Sequence, residues 1–134
     1  MPFSSLGISQ HLVKGLEKEK HLKPYPIQEQ TIPAILANKD VLGIAQTGSG
    51  KTASYVLPIL MNLEGKTTTK NRHVNVLVLV PTRELADQVQ GVFKTFGFYL
   101  PYNVKSLAVF GGSSINPQMQ ALQNVNVLVA TPGR

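Results

Sequence analysis

Eight consecutive residues, Ala45, Gln46, Thr47, Gly48, Ser49, Gly50, Lys51 and Thr52, have the types and the spacing to hold a phosphate. A small residue, four positions, then Gly-Lys-Thr is the P-loop pattern, with Ala45 standing where its strict form has glycine. Gly48 and Gly50 can take positive φ and, lacking a Cβ, let backbone N–H groups close around an anion. A helix opening near Lys51 would point its free N–H groups and positive dipole end at the same anion. Lys51 would reach the outer phosphates as a flexible point charge, and the Thr52 hydroxyl would take one coordination position on Mg²⁺. The flanks fit: residues 41–45 are an apolar run of buried-strand type, and residues 53–62 can continue as a helix. A Gly/Ser turn that merely precedes a lysine is the competing reading, and the agreement of both flanks weighs against it.

A second set of residues shares a location. Three more apolar runs, at 76–80, 105–110 and 125–130, alternate with helical segments at 83–96 and 117–122. Alternating strands and helices imply βαβ units, hence an α/β fold with a mostly parallel sheet flanked by helices. The first run is followed by Pro81, Thr82, Arg83 and Glu84, the second by Gly111 and Gly112, the third by Thr131, Pro132, Gly133 and Arg134. In a parallel sheet these are all carboxyl ends, the edge where open α/β folds bind ligands. Thr82 and Thr131 read as helix N-caps, which puts Arg83 and Arg134 in the first turn, where a cation opposes the macrodipole. The same local conflict twice suggests an anion supplied from outside, and a phosphodiester oxygen suits that seat. The alternative is a pair of solvated arginines matched to neighbours such as Glu84.

The elements that position these segments are legible upstream. Leu6, Ile8, Leu12, Val13 and Leu16 recur at near-helical spacing around Ser9, which predicts an N-cap and a helix over 10–20. Pro24 and Pro26 end it. Residues 27–38 are again helical in period, interrupted or tightened at Pro33, and Asn38, Lys39 and Asp40 turn the chain toward the P-loop. The polar stretch 64–71 reads as a mobile surface loop.

Composition sets bounds. A chain of 134 residues supports one core, and its net charge of +6 is compatible with a polyanionic partner. With no cysteine, disulfides and thiolate metal sites are excluded, which fits a reducing compartment. No apolar run approaches the ~20 residues of a membrane span, and the first residues lack a secretory layout, so the expectation is cytoplasmic, with no membrane partner.

The segments together resemble the DEAD-box family of ATP-dependent RNA helicases. Residues 45–52 resemble its motif I, Pro81 to Ala86 motif Ia, Gly111 and Gly112 the double glycine, and Thr131 to Arg134 motif Ib. Residues 20–28 resemble the Q motif, and Phe3 stands at the position of the upstream aromatic. The resemblance implies a truncated RecA-like P-loop NTPase domain, with a Q-motif region at 1–39 and a P-loop βαβ core at 40–134. It implies ATP and Mg²⁺ as cofactors, with Gln28 reading the adenine edge, Phe3 contacting its face, and residues 45–52 holding the phosphates. It further implies RNA bound through its backbone, without sequence specificity, at Pro81, Thr82, Arg83, Gly111, Gly112, Thr131, Pro132, Gly133 and Arg134. The parent would use a second RecA-like domain to couple ATP hydrolysis to RNA unwinding or remodelling. Lys20 and His21 depart from the usual Gly-aromatic pair of the Q motif, and Tyr25 from its threonine.

Hydrolysis needs a strand-end carboxylate to hold the metal. None of Glu17, Glu19, Glu29, Asp40, Glu64, Glu84 and Asp87 directly ends an apolar run. The family's acidic motif II would follow Arg134, so the chain by itself is expected to bind nucleotide without hydrolysing it. A non-catalytic nucleotide- or RNA-binding module is the alternative; an unrelated P-loop kinase or GTPase fits poorly with residues 81–86 and 131–134.

Overall fold

Ser9 caps the first helix as its sequence suggests. Its side chain accepts a hydrogen bond from the Leu12 N–H at 3.4 Å, and α1 runs Gln10–Lys18. The helix stops two residues short of expectation because Lys20 swings to a φ of 64°, which a continuing helix does not permit. The computed structural model describes residues 2–64, 74–111, 115–122 and 124–133. It divides into two compact units, Met1–Asn62 with Phe96–Pro101, and Leu63–Thr95 with Tyr102–Arg134. Apart from Glu64, the loop expected at 64–71 lies outside the described residues.

In the first unit a short 3-10 helix, Phe3–Leu6, precedes α1, and α2 (Pro26–Leu36) packs on α3 (Lys51–Asn62). Pro26 opens α2, where its missing N–H costs nothing. Pro33 lies inside α2 without breaking it, contrary to the expected interruption. Ile32 beside it is fully buried, and such burial, worth ~1.5–3 kcal/mol per large apolar side chain, offsets a local helix defect. Leu12, Leu16, Val56, Leu57 and Leu60 are among the other buried side chains of this unit. Residues 41–45 correct the sequence reading: they form no strand, and Leu42 and Ile44 are 86% and 85% exposed. An extended segment becomes a strand only when a neighbour takes up its N–H and C=O groups, and no strand pairs with it among the described residues.

In the second unit β1 (Val76–Leu79), β3 (Val127–Ala130) and β2 (Ser106–Val109) lie in that order, all parallel. The middle strand is buried, with Val127 and Val129 at 0% exposure, whereas Leu77 and Leu79 on edge strand β1 are open to solvent. Between β1 and β2 runs α4 (Arg83–Gly97), whose Ala86, Val89 and Phe93 recur at helical spacing and are buried. Gln90 Nε2 fastens it to the Ser106 carbonyl at 3.1 Å. The last helix, α5 (Ile115–Gln120), begins two residues earlier than expected. Buried Asn126 ties the amino ends of all three strands together, which its polar character gave no reason to anticipate. Its Oδ1 accepts the Lys105 N–H at 3.0 Å and its Nδ2 donates to Asn75 Oδ1 at 3.1 Å, so both polar atoms of a side chain at 1% exposure have partners.

Candidate functional site

The P-loop takes the conformation its glycines allow. Gly48 and Gly50 have φ of 80° and 83°, and α3 starts immediately after, at Lys51. The Ser54 N–H bonds to the Gly50 carbonyl at 3.2 Å, which leaves the N–H groups of Lys51, Thr52 and Ala53 as the unfilled donors of a helix start. Ser49 closes the turn by donating its backbone N–H, at 3.2 Å, and its hydroxyl to the Gln46 carbonyl. The Lys51 ammonium donates to the Ala45 carbonyl at 2.6 Å, folding back over its own loop. Burial pushes the Tyr55 phenol above its ordinary pKa, while a hydrogen bond with the Thr52 side chain pulls it part of the way back.

Gln28 supports this loop from α2. Its Oε1 accepts the Tyr25 N–H at 2.9 Å and its Nε2 donates to the Gly50 carbonyl at 3.1 Å, with the residue 1% exposed. A Cβ on Gly50 would collide with Gln28 Nε2 and come within 2.7 Å of the Tyr25 ring. Glycine is therefore required here twice, by φ and by close approach. Phe3 is buried at 4% exposure. Beside the loop lies a cleft of 260 Å³ lined by Tyr25, Pro26, Ile27, Gln30, Ile44, Ala45 and Ser49.

In the second unit the strand register builds a single edge. Leu79 and Val109 both pair with Ala130, so the three strands end level. Val80 N–H donates to the Ala130 carbonyl at 3.0 Å and Thr131 N–H to the Val109 carbonyl at 3.2 Å. Pro81, Thr82, Arg83, Gly111, Thr131, Pro132 and Gly133 therefore all leave from one side of the sheet. Gly112 and Arg134 lie outside the described residues. Thr82 caps α4, its hydroxyl oxygen accepting the Leu85 N–H at 3.2 Å. Thr131 instead leads into a turn at Pro132 and Gly133.

Arg83 is exposed, and its guanidinium carbon sits 4.7 Å from the centroid of the Phe110 ring. Among the described residues no carboxylate pairs with it, so the matching with Glu84 weighed above is not seen. A larger cavity, 450 Å³, is lined by Lys94, Lys105, Asn103, Asn124 and their neighbours at the amino ends of β2 and β3, opposite the edge that gathers these segments. Size does not make it the better candidate, because open parallel sheets bind at their carboxyl ends. No group of three or more His, Cys, Asp or Glu is placed to hold a metal among the described residues. Among them, too, no helix is long and apolar enough to cross a membrane.

Known proteins resemble the chain over its whole length. The family model described as DEAD/DEAH box helicase matches residues 25–134. The chain is 43% identical to ATP-dependent RNA helicase CshA of Limosilactobacillus reuteri, over 100% of its own length and 26% of that protein. It is 45% identical to DEAD-box ATP-dependent RNA helicase CshA of Streptococcus pneumoniae serotype 4, over 100% of itself and 25% of the relative. Among solved structures, the RNA helicase Prp28 from Chaetomium thermophilum bound to ADP superposes with a TM-score of 0.84 at 37% identity, covering 99% of this chain and 32% of that one. A DEAD box protein from Methanococcus jannaschii gives 0.86 at 35% identity, covering 100% and 35%. The chain thus spans about a quarter of these two curated relatives and about a third of these solved chains.

Proposed function

The chain belongs to the DEAD/DEAH box helicase family, and we propose that it is the nucleotide-binding part of the first RecA-like domain of an ATP-dependent RNA helicase. The observation that carries this reading is the P-loop itself, with two glycines at positive φ leading into a helix that begins at Lys51. In the proposed complex the ATP phosphates lie against residues 46–50 and the free N–H groups at the start of α3. Lys51 leaves the Ala45 carbonyl to meet the outer phosphates. Thr52 would supply one oxygen to Mg²⁺, which when bound would shield the phosphate charge.

Gln28 has spent two of its four hydrogen-bonding valences on Tyr25 and Gly50. A carboxamide retains one N–H and one lone pair in that state, and these match the acceptor-donor edge of adenine. Phe3 is assigned to the adenine face by the family pattern, and contact requires its ring to become accessible. RNA is proposed to run along the edge formed by Thr82, Arg83, Gly111, Thr131 and Gly133, bound through phosphates; the family pattern adds Gly112 and Arg134 to the contacts. Hydrolysis coupled to unwinding is proposed for the longer protein, with a second RecA-like domain as partner and the cytoplasm as its place.

The test is calorimetric titration of the chain with ATP and ADP. Lys51→Ala should weaken binding roughly tenfold or more, as expected for loss of a charge-assisted phosphate contact; unchanged affinity removes Lys51 from the site. Gln28→Ala should narrow the preference for adenine over guanine nucleotides.

A further inference from the structure

We propose that Phe110 is a positioning residue for Arg83, and that Gln118 holds Phe110 for this purpose; the inference rests on Arg83 being a phosphate ligand for RNA. Arg83 occupies the first turn of α4, where its charge meets the positive end of the helix. Such a cation needs a local counterweight. Among the described residues the counterweight is not a carboxylate but the Phe110 ring, 4.7 Å from the guanidinium carbon. The negative face of an aromatic ring attracts a cation without neutralising it.

This choice of partner has a chemical consequence. A carboxylate would occupy the in-plane N–H groups of the guanidinium and place a negative charge where a phosphate is to bind. A ring 4.7 Å from the guanidinium carbon brings neither a negative charge nor a carboxylate acceptor, so N–H donors of the planar fork remain for two-point contact with phosphate oxygens. The ring also restricts a long side chain before RNA arrives, so less entropy is lost on binding.

Phe110 is itself fixed. It follows β2, beyond the last paired residue, where its backbone is outside the sheet ladder. The Gln118 carboxamide from α5 takes up both groups: its Oε1 accepts the Phe110 N–H and its Nε2 donates to the Phe110 carbonyl, each at 3.2 Å. Beyond Phe110, a Cβ at Gly111 would meet nothing within 4 Å among the described residues.

A double-mutant cycle on RNA affinity tests the proposal, using fluorescence anisotropy of labelled oligouridylate with the parent, Arg83→Ala, Phe110→Leu, the double variant and Phe110→Tyr. Phe110→Leu should weaken binding about two- to fivefold, have no further effect when Arg83 is already alanine, and be rescued by tyrosine. Equal weakening in both backgrounds would show that the ring acts on RNA or on the fold rather than through Arg83, and overturns the proposal. If Arg83→Ala leaves affinity unchanged, the RNA edge itself is misassigned and the relay falls with it. An NMR readout needs no RNA: the Arg83 Nε–H resonance should carry a ring-current shift that Phe110→Leu removes. Absence of that shift in the parent, with RNA affinity still lost in Arg83→Ala, overturns the positioning role alone.

Discussion

Residues 41–44 and β3 are four-residue apolar runs of similar composition, and each leads into a segment read as functional. One is an exposed stretch without a ladder, with Leu42 at 86% exposure; the other is the central strand of a parallel sheet, with Val127 at 0%. The two sites that follow are correspondingly different in kind. The P-loop holds its shape by local means, two glycines at positive φ, a helix start and the Gln28 bond to Gly50. The edge at Thr82, Phe110 and Thr131 exists only because three strands end level.

The largest effect should separate the two runs. Val127→Ala is expected to cost about 2–3 kcal/mol of stability, as for other buried large-to-small changes, while Leu42→Ala stays within about 0.5 kcal/mol. Urea unfolding of both variants measures this, and equal costs would mean that residues 41–44 are packed in solution. Next, Gly50→Ala should lose about 1–2 kcal/mol from positive φ alone, with further loss from the collision with Gln28 and Tyr25, and nucleotide binding should fall with it. Gly91→Ala, in α4 with nothing near its Cβ position, should instead gain up to about 1 kcal/mol. A thermal melt showing the same sign for both would contradict a glycine-determined loop.

Smaller changes probe the edge. Thr82→Ala should cost about 1 kcal/mol by uncapping α4, and Thr82→Ser should restore it; indifference to both would remove the cap. The smallest effect is in pH dependence. Because burial raises the Tyr55 pKa in the folded state, the stability linked to its neutral phenol is present below the ordinary pKa of 10.0 and is lost as pH rises through the folded value. Tyr55→Phe should flatten the alkaline end of a stability-against-pH curve; an unchanged curve would mean that the phenol ionises alike folded and unfolded.

Much of this was legible in local patterns. The Ser9 and Thr82 caps and the positive φ of Gly48 and Gly50 each depend on one residue and its next few neighbours. So does the start of α4 at Arg83. Alternating runs and helices were enough for a parallel sheet, since a crossover of that length brings the next strand back in the same direction. The continuous α2 across Pro33 was not legible, because burial of its neighbours outweighs a local preference.

By itself, then, the sequence determined which segments carry the residue types suited to a phosphate and that several of them would fall at strand ends, since residue type and spacing act over a few positions. Tertiary structure alone decided which apolar run became a strand, because ladder hydrogen bonds require a partner remote in sequence. It decided that Asn126 would bind three strand starts and that Gln28 would brace Gly50. It also decided that the counterweight to Arg83 is Phe110, twenty-seven positions away. The sequence announces an unsatisfied charge, but only folding selects the group that satisfies it.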